Sequence, residues 1–229
     1  MPLLLEVCVT SPRSAVAAAT GGAHRIELCV NLEDGGMSPS ASLLGEVRAA
    51  VEIGIHVMVR PRPGDFCYSE SAFESMKEEI QQAKVLGANG VVFGILKSDK
   101  TIDMKRTREL VQLAHPLSVT FHRAFDETPD PVKALEDVIQ TGADLLLTSG
   151  QEPSAFEGRE CIRGLVKRAG NRIRILAGAG INEENVRRLI NETGVTQVHV
   201  ARSVQKDGET TAGLVRRMLF SMNDNGEMN

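Results

Sequence analysis

Tryptophan is absent from this 229-residue chain, tyrosine occurs once, and aromatic residues make up only 3% of it. Positive charge is not in surplus either. There are 26 Lys+Arg against 30 Asp+Glu, a formal net charge of −4, which excludes a basic nucleic-acid binder on bulk charge. With no repeat of basic or aromatic type, neither nucleic acid nor a membrane is expected as a partner. No apolar run approaches the roughly 18 to 20 residues that cross a bilayer. The opening Met-Pro-Leu-Leu-Leu meets Glu6 too soon for a signal-peptide core, so a cytoplasmic protein is expected. Four cysteines without a C-x-x-C pair do not make a disulfide framework. What remains, 42% hydrophobic and 24% charged residues, is the composition of a soluble globular chain and not of a disordered one.

Short apolar or β-branched runs alternate with longer segments of helical spacing, the pattern of βα units on a parallel sheet. The strand candidates are Leu3–Val9, Arg25–Val30, Ile55–Arg60, Gly90–Ile95, Leu117–His122, Asp144–Thr148, Arg172–Ala177 and Thr196–Ala201. Helical segments lie near 12–20, 40–52, 70–86, 104–114, 130–141, 155–169, 182–193 and 210–222. Ser11-Pro12, Ser38-Pro39, Asp130-Pro131 and Asn182-Glu183 read as helix starts. The words Gly-Gly-Ala-His (21–24), Leu-Gly-Ala-Asn (86–89), Thr-Gly-Ala-Asp (141–144) and Thr-Gly-Val-Thr (193–196) read as helix ends, because glycine reverses the chain in the left-handed region without a Cβ clash. Each leads into an even-numbered strand. Eight βα units in this length predict a single-domain, TIM-like (β/α)8 barrel. The rival, an open doubly wound sheet, would place a Gly-rich fingerprint after the first strand, where Thr10-Ser11-Pro12-Arg13 stands.

Alternate residues of a barrel strand face the helices and the lumen. Leu5, Val7 and Val9 leave Glu6 and Cys8 inward; Ile26, Leu28 and Val30 leave Glu27 and Cys29. Met58 and Arg60, Thr120 and His122, Thr148, and His199 complete the inward set. Buried carboxylates need cationic partners, and Arg60, with Arg62 after it, is the nearest candidate for Glu6 and Glu27. Barrel chemistry sits at the C-terminal strand ends, where Cys8, Cys29, Arg60, His122, Thr148 and His199 are expected.

Four constellations stand out, each with a plainer reading beside it. The run Val59-Arg-Pro-Arg-Pro-Gly-Asp-Phe-Cys-Tyr68 concentrates two arginines and two aromatics, yet Pro-Gly-Asp is also ordinary turn chemistry. Thr120-Phe-His-Arg-Ala-Phe-Asp126 puts His122 near a carboxylate, a pattern suited to acid–base work and also to a structural hydrogen bond. The turns at Ser149-Gly150 and Gly178-Ala-Gly180 could present N–H groups to an anion or could serve tight geometry alone. Cys8 and Cys29, at matching places on neighbouring strands, could hold a soft ion such as Cu(I) or be small buried hydrophobes. Cys67 could add a third sulfur; Cys161, on an outer helix, is expected to be inert.

Leu5-Glu-Val-Cys-Val9, Gly21-Gly-Ala-His-Arg-Ile-Glu-Leu-Cys29, Val57-Met-Val-Arg-Pro-Arg62, Gly64-Asp-Phe-Cys-Tyr-Ser69, Val119-Thr-Phe-His-Arg-Ala-Phe-Asp126 and Leu147-Thr-Ser-Gly150 together resemble the copper homeostasis protein CutC family, in order from about residue 3 to 203. The resemblance implies a cytoplasmic TIM-like barrel linked to copper handling and Cu(I) binding that self-associates as a homodimer or higher homo-oligomer. It implies Cys8 and Cys29 as metal ligands, and a rim of Glu6, Glu27, Arg60, Arg62, Asp65, His122, Arg123 and Asp126. On this reading residues 1–203 form the barrel core. Residues 204–229 diverge from the family: their closing helix is left in doubt and their tail, Asp224–Asn229, is expected to be disordered. Where His24 stands, relatives often carry Asp.

Two functions follow as expectations. One is a cytoplasmic Cu(I)-binding barrel with a thiolate site at the mouth. The other is an acid–base lyase or isomerase acting on a small anionic or phosphorylated substrate. In the latter, His122, Glu27 and Asp126 move protons, while Glu6, Arg60, Arg62, Asp65, Arg123, Ser149, Gly150, Gly178, Gly180 and His199 bind the ligand. A plain binding barrel, its inward charges forming a satisfied network, is the third alternative.

Overall fold

The computed structural model describes residues 2–223. Eight strands, β1 (Leu4–Val9), β2 (Arg25–Leu28), β3 (Gly54–Met58), β4 (Gly90–Phe93), β5 (Ser118–Phe121), β6 (Leu145–Thr148), β7 (Arg174–Gly178) and β8 (Gln197–Val200), pair in parallel and in chain order. Strand β8 returns to β1, with Glu6 opposite His199, so the sheet closes as the expected (β/α)8 barrel. The outer ring consists of α1 (Pro12–Gly21), α2 (Ala41–Ala50), α3 (Glu70–Val85), α4 (Met104–Ala114), α5 (Pro131–Thr141), α6 (Arg159–Ala169), α7 (Val186–Thr193) and α8 (Ala212–Asn223). Helix α8 closes the ring against α1 and α7, which answers the doubt over it. Residues 224–229, where no regular pattern was expected, lie outside the described residues.

Local chemistry fixes the helix ends. The hydroxyls of Ser11, Ser40 and Ser69 and the carboxylates of Asp103 and Asp130 accept backbone N–H groups in the first turns of α1 to α5. At the far ends Gly22, Gly87, Gly142 and Gly194 all have positive φ, as the repeated glycine words require. The residue two places after three of these glycines has a second duty. His24 Nδ1, Asn89 Oδ1 and Asp144 Oδ2 accept the N–H groups of Leu5, Ile55 and Val119 at 3.0, 2.9 and 2.8 Å. Each closes the bottom of the barrel onto the preceding odd-numbered strand. The His24 ring can fill this place because an imidazole nitrogen without a hydrogen accepts as a side-chain oxygen does.

The main core lies between strands and helices and takes the outward residues Leu5, Val7, Ile26, Leu28, Ile55, Val91, Val119 and Val198. Inside the barrel Cys8, Cys29, Met58 and Val92 form a small apolar group, and Leu145, Leu147 and Leu176, in register with inward Thr120 and Gln197, are buried there too. Glu6, Arg25, Glu27, His56, Thr120, Gln197 and His199 are buried polar side chains of the same inward parity, so the barrel trades part of its packing for a charged lumen.

Candidate functional site

A cavity of about 830 Å³ opens at the C-terminal mouth, and Cys8, Glu27, Cys29, Arg60, His122 and His199 all line it. These six of the inward side chains read from alternation, with Met58, therefore converge on one opening. Beneath it, Glu6 is fully buried. Its carboxylate accepts from Arg25 Nε and lies 2.8 Å from His199 Nδ1. Arg25 also donates to Gln197 Oε1 at 3.1 Å. Burial opposes ionisation of Glu6, but His199 and Arg25 outweigh it and hold the carboxyl down at about 2. His199 is the mirror case. Burial draws its pKa down, while Glu27 and Glu6 together raise it above the ordinary value. Glu27 is pushed up, chiefly by burial, and its Oε1 has no hydrogen-bond partner.

The partner of Glu6 is thus Arg25, and not Arg60 or Arg62 as expected from strand ends. Register gives the reason: Glu6 lies opposite Arg25 and Cys8 opposite Glu27. The same stagger corrects the placement of the cysteines, since Cys29 sits one inward position higher than the residue facing Cys8. Even so, the two sulfurs are 3.1 Å apart, and both thiols are free. The hydrogen bond to Cys29, burial and the neighbouring Glu27 push the Cys8 thiol well above its ordinary pKa.

Arg60 is 5% exposed and makes no ion pair among the described residues. Its guanidinium donates to the carbonyls of Asp34, Gly36 and Gly64 at 2.6, 3.0 and 2.8 Å, leaving Nε unpartnered. It also lies over the Phe66 ring, 5.0 Å from its centroid, and Phe66 in turn contacts the His122 ring at 4.8 Å. His122 Nδ1 accepts the Ala124 N–H at 3.2 Å, and Nε2 is buried without a partner. Burial, followed by Arg60 and Arg123, lowers the His122 pKa to about 3, so the ring is neutral.

Asp126 is not hydrogen-bonded to that ring. Its carboxylate takes the N–H groups of Ser149 and Gln151 at 3.0 and 3.2 Å, the hydroxyls of Thr148 and Ser149, and Arg123 Nε at 2.9 Å. Thr148 and Ser149 are thereby committed to Asp126. Thr148 pairs in register with Ala177, a residue of the outer core, and so faces the helices and not the lumen as expected. Arg62 and Asp65 do not line the cavity. They form an exposed clip at 2.6 Å, with Arg62 also donating to the Cys67 carbonyl at 2.6 Å, which is the turn chemistry the run allows. Cys67 is exposed on that clip, outside the cavity, and adds no third sulfur. Cys161 lies half-buried on α6, its pKa raised by burial. Arg123, Asp126 and Gly180 line the cavity, whereas Gly150 and Gly178 do not.

Three glycines explain how the lumen holds its histidines. A Cβ on Gly90 would lie 2.6 Å from the His56 ring, and one on Gly94 would lie 2.5 Å from His122 Nδ1. One on Gly178 would meet Leu147 at 2.6 Å and His199 Cβ at 3.3 Å. Sequence reading missed His56 and Arg25, although both share the inward parity of residues it did select. Glycine at inward strand positions was the available signal for close approach.

These features define a parallel eight-stranded barrel whose C-terminal mouth carries a thiol pair beside a buried Glu–Arg–His cluster. The chain belongs to the CutC family, whose model matches residues 3–204. It is 46% identical over 206 residues to the copper homeostasis protein cutC homolog of Homo sapiens, covering 90% of this chain and 76% of that protein. It is 43% identical to a family protein CutC of Chromobacterium violaceum over 201 residues, 88% of this chain and 81% of the other. The crystal structure of the putative copper homeostasis protein CutC from Streptococcus agalactiae superposes with a TM-score of 0.84 at 32% identity, covering 89% of this chain and all of that one. Thiamine phosphate pyrophosphorylase from Pyrococcus furiosus, at a TM-score of 0.67 and 17% identity, shares the fold alone. No helix among the described residues is long and apolar enough to cross a membrane.

Proposed function

We propose that this chain is a cytoplasmic Cu(I)-binding protein of copper homeostasis that holds the ion through Cys8 and Cys29. The observation that carries the reading is the 3.1 Å separation of the two sulfurs at the floor of an open mouth. Sulfur donors suit a soft monovalent ion, and Met58 belongs to the same small apolar cluster as the two cysteines. Cys8 and Cys29 would hold the ion as thiolates, their protons being released to solvent through the open mouth, while the loop around Gly36, within contact distance of Cys29, would shield it. Self-association as a homodimer or higher homo-oligomer belongs to the same reading. Competition for Cu(I) against a chromophoric chelator under anaerobic conditions tests it. Cys8→Ser and Cys29→Ser should each release the ion to the chelator, and unchanged affinity in both would eliminate the site.

A second reading, acid–base chemistry on a small anionic or phosphorylated ligand, is supported by Arg60. A buried guanidinium without a carboxylate, beside Arg123 and Arg202 in the same cavity, favours an anion there. With His122 neutral, its Nε2 would act as a hydrogen-bond donor to that ligand. Stabilisation of the wild-type protein by phosphate or small carboxylates, lost in Arg60→Gln, tests it.

A further inference from the structure

The thiol pair leaves part of the barrel floor unused. Cys8 Sγ, a carboxylate oxygen of Glu27 and a ring nitrogen of His199 all lie within 4.8 Å of one another. His199 Nε2 is 3.8 Å from Glu27 Oε2. Cys29 is not a member of this group. We propose that Cys8, Glu27 and His199 form an alternative metal site, which shares Cys8 with the thiol pair but not Cys29 and takes a borderline divalent ion of the zinc type with one coordination position open to the cavity.

The donor set is the first argument. One sulfur, one imidazole nitrogen and one carboxylate oxygen suit zinc, cobalt or nickel better than a soft monovalent ion, which prefers sulfur throughout. Bonds of about 2.0 to 2.3 Å require donors roughly 3.3 to 3.8 Å apart, so the group closes onto an ion by side-chain rotation of about 1 Å or less.

Orientation is the second. His199 presents Nδ1 to Glu6 at 2.8 Å, and Glu6 is itself held by Arg25. A proton on Nδ1 donated to Glu6 leaves the Nε2 lone pair facing Glu27. Carboxylates behind ligating histidines fix the ring in this way. Glu6 and Arg25 are then positioning residues for a metal, which gives a reason for their burial that a copper site on two cysteines does not.

The third argument is the unpartnered Oε1 of Glu27, a residue 3% exposed. A carboxylate oxygen shut away from water without a donor is costly, and a cation in the adjacent space satisfies it. All three donors line the cavity. Three protein ligands with an open fourth position is the arrangement of catalytic and not structural zinc, and the arginines above favour an anion in that position.

Co(II) is the probe, added to the anaerobic full-length protein and read by its thiolate-to-cobalt absorption and by X-ray absorption at the metal edge. Wild-type protein should show one sulfur scatterer with nitrogen and oxygen neighbours. His199→Gln and Glu27→Gln should each weaken Co(II) binding by about tenfold or more, Glu6→Gln by about 10 to 100-fold as an outer-shell change, and Cys8→Ser should abolish the charge-transfer band. Cys29→Ser should retain the band, although it loses Cu(I). No band in wild-type protein, two sulfur scatterers, or a band lost in Cys29→Ser but kept in His199→Gln would overturn the proposal. The scattering measurement needs no variant to fold, and Cu(I) competition on the same variants shows separately whether the thiol-pair reading stands.

Discussion

His122 is a buried imidazole that the barrel keeps uncharged, and that has a measurable consequence for stability. Its ordinary pKa of 6.5 falls to about 3, first through burial and then through the charges of Arg60 and Arg123. The folded pKa lies below the unfolded one, so the unfolded chain binds the proton more readily over the window between them. Stability from this group is fully present above pH 6.5 and is lost as pH falls towards 3. At pH 5 the unfolded ring is almost wholly protonated and the folded ring is not, a difference worth about 2 kcal/mol relative to pH 7. Urea unfolding at pH 7 and pH 5 should therefore show the wild-type protein losing about 2 kcal/mol more than His122→Gln, which carries no titrating group there. The comparison cancels the other carboxylates and histidines, because both proteins contain them. Nitrogen NMR supplies an independent check: the ring should remain neutral at pH 5, with its proton on Nε2, because Nδ1 accepts the Ala124 N–H. Equal losses in the two proteins, or a ring that titrates near its ordinary value, would refute the reasoning.

Gly94→Ala should destabilise the fold by about 1 to 3 kcal/mol, since its methyl group would stand 2.5 Å from His122 Nδ1 and force the ring off its seat. Equilibrium denaturation measures this, and the double variant with His122→Ala should recover much of the loss. At the barrel bottom, His24→Asp should change stability by less than about 0.5 kcal/mol because it keeps an acceptor for the Leu5 N–H, whereas His24→Ala should cost about 1 to 3 kcal/mol by leaving that group unpaired. Thermal unfolding of the pair separates the two outcomes; equal effects would mean that the ring acts by packing and not as an acceptor.

Strand order, helix order and the inward set, Thr148 apart, were legible because they rest on local signals. Period-two alternation puts Glu6, Cys8, Glu27 and Cys29 on one face whatever the tertiary structure does with them. The glycine words were legible for the same reason, since a left-handed helix end is a property of four or five residues. Helix α6 starts at Arg159, later than its hydropathy suggested, because residues 151–158 are drawn into turns that pack under the mouth, where the Ala155 N–H reaches the Ala179 carbonyl at 2.9 Å. Gly158 has no room for a side chain there, since a Cβ would lie 2.0 Å from the Ser149 carbonyl oxygen. Nothing in the periodicity of the segment records those partners.

Height within the barrel was not legible, and the site depends on it. Parity says which side chains enter the lumen, but barrel stagger decides which of them meet. One step of register gives Glu6 an arginine from the beginning of β2 in place of one from the end of β3. That exchange frees Arg60 to bind loop carbonyls above the sheet. It also sets Glu27 opposite Cys8, so a buried carboxylate stands beside the thiol pair. The loop after β5 follows the same logic. Asp126 lies four residues from His122 in sequence, but five donors from residues 123–151 claim it first. A carboxylate near a histidine in sequence is therefore no guide to acid–base pairing where a neighbouring loop offers unsatisfied N–H groups, since burying those groups unpaired would cost more than the histidine's hydrogen bond returns.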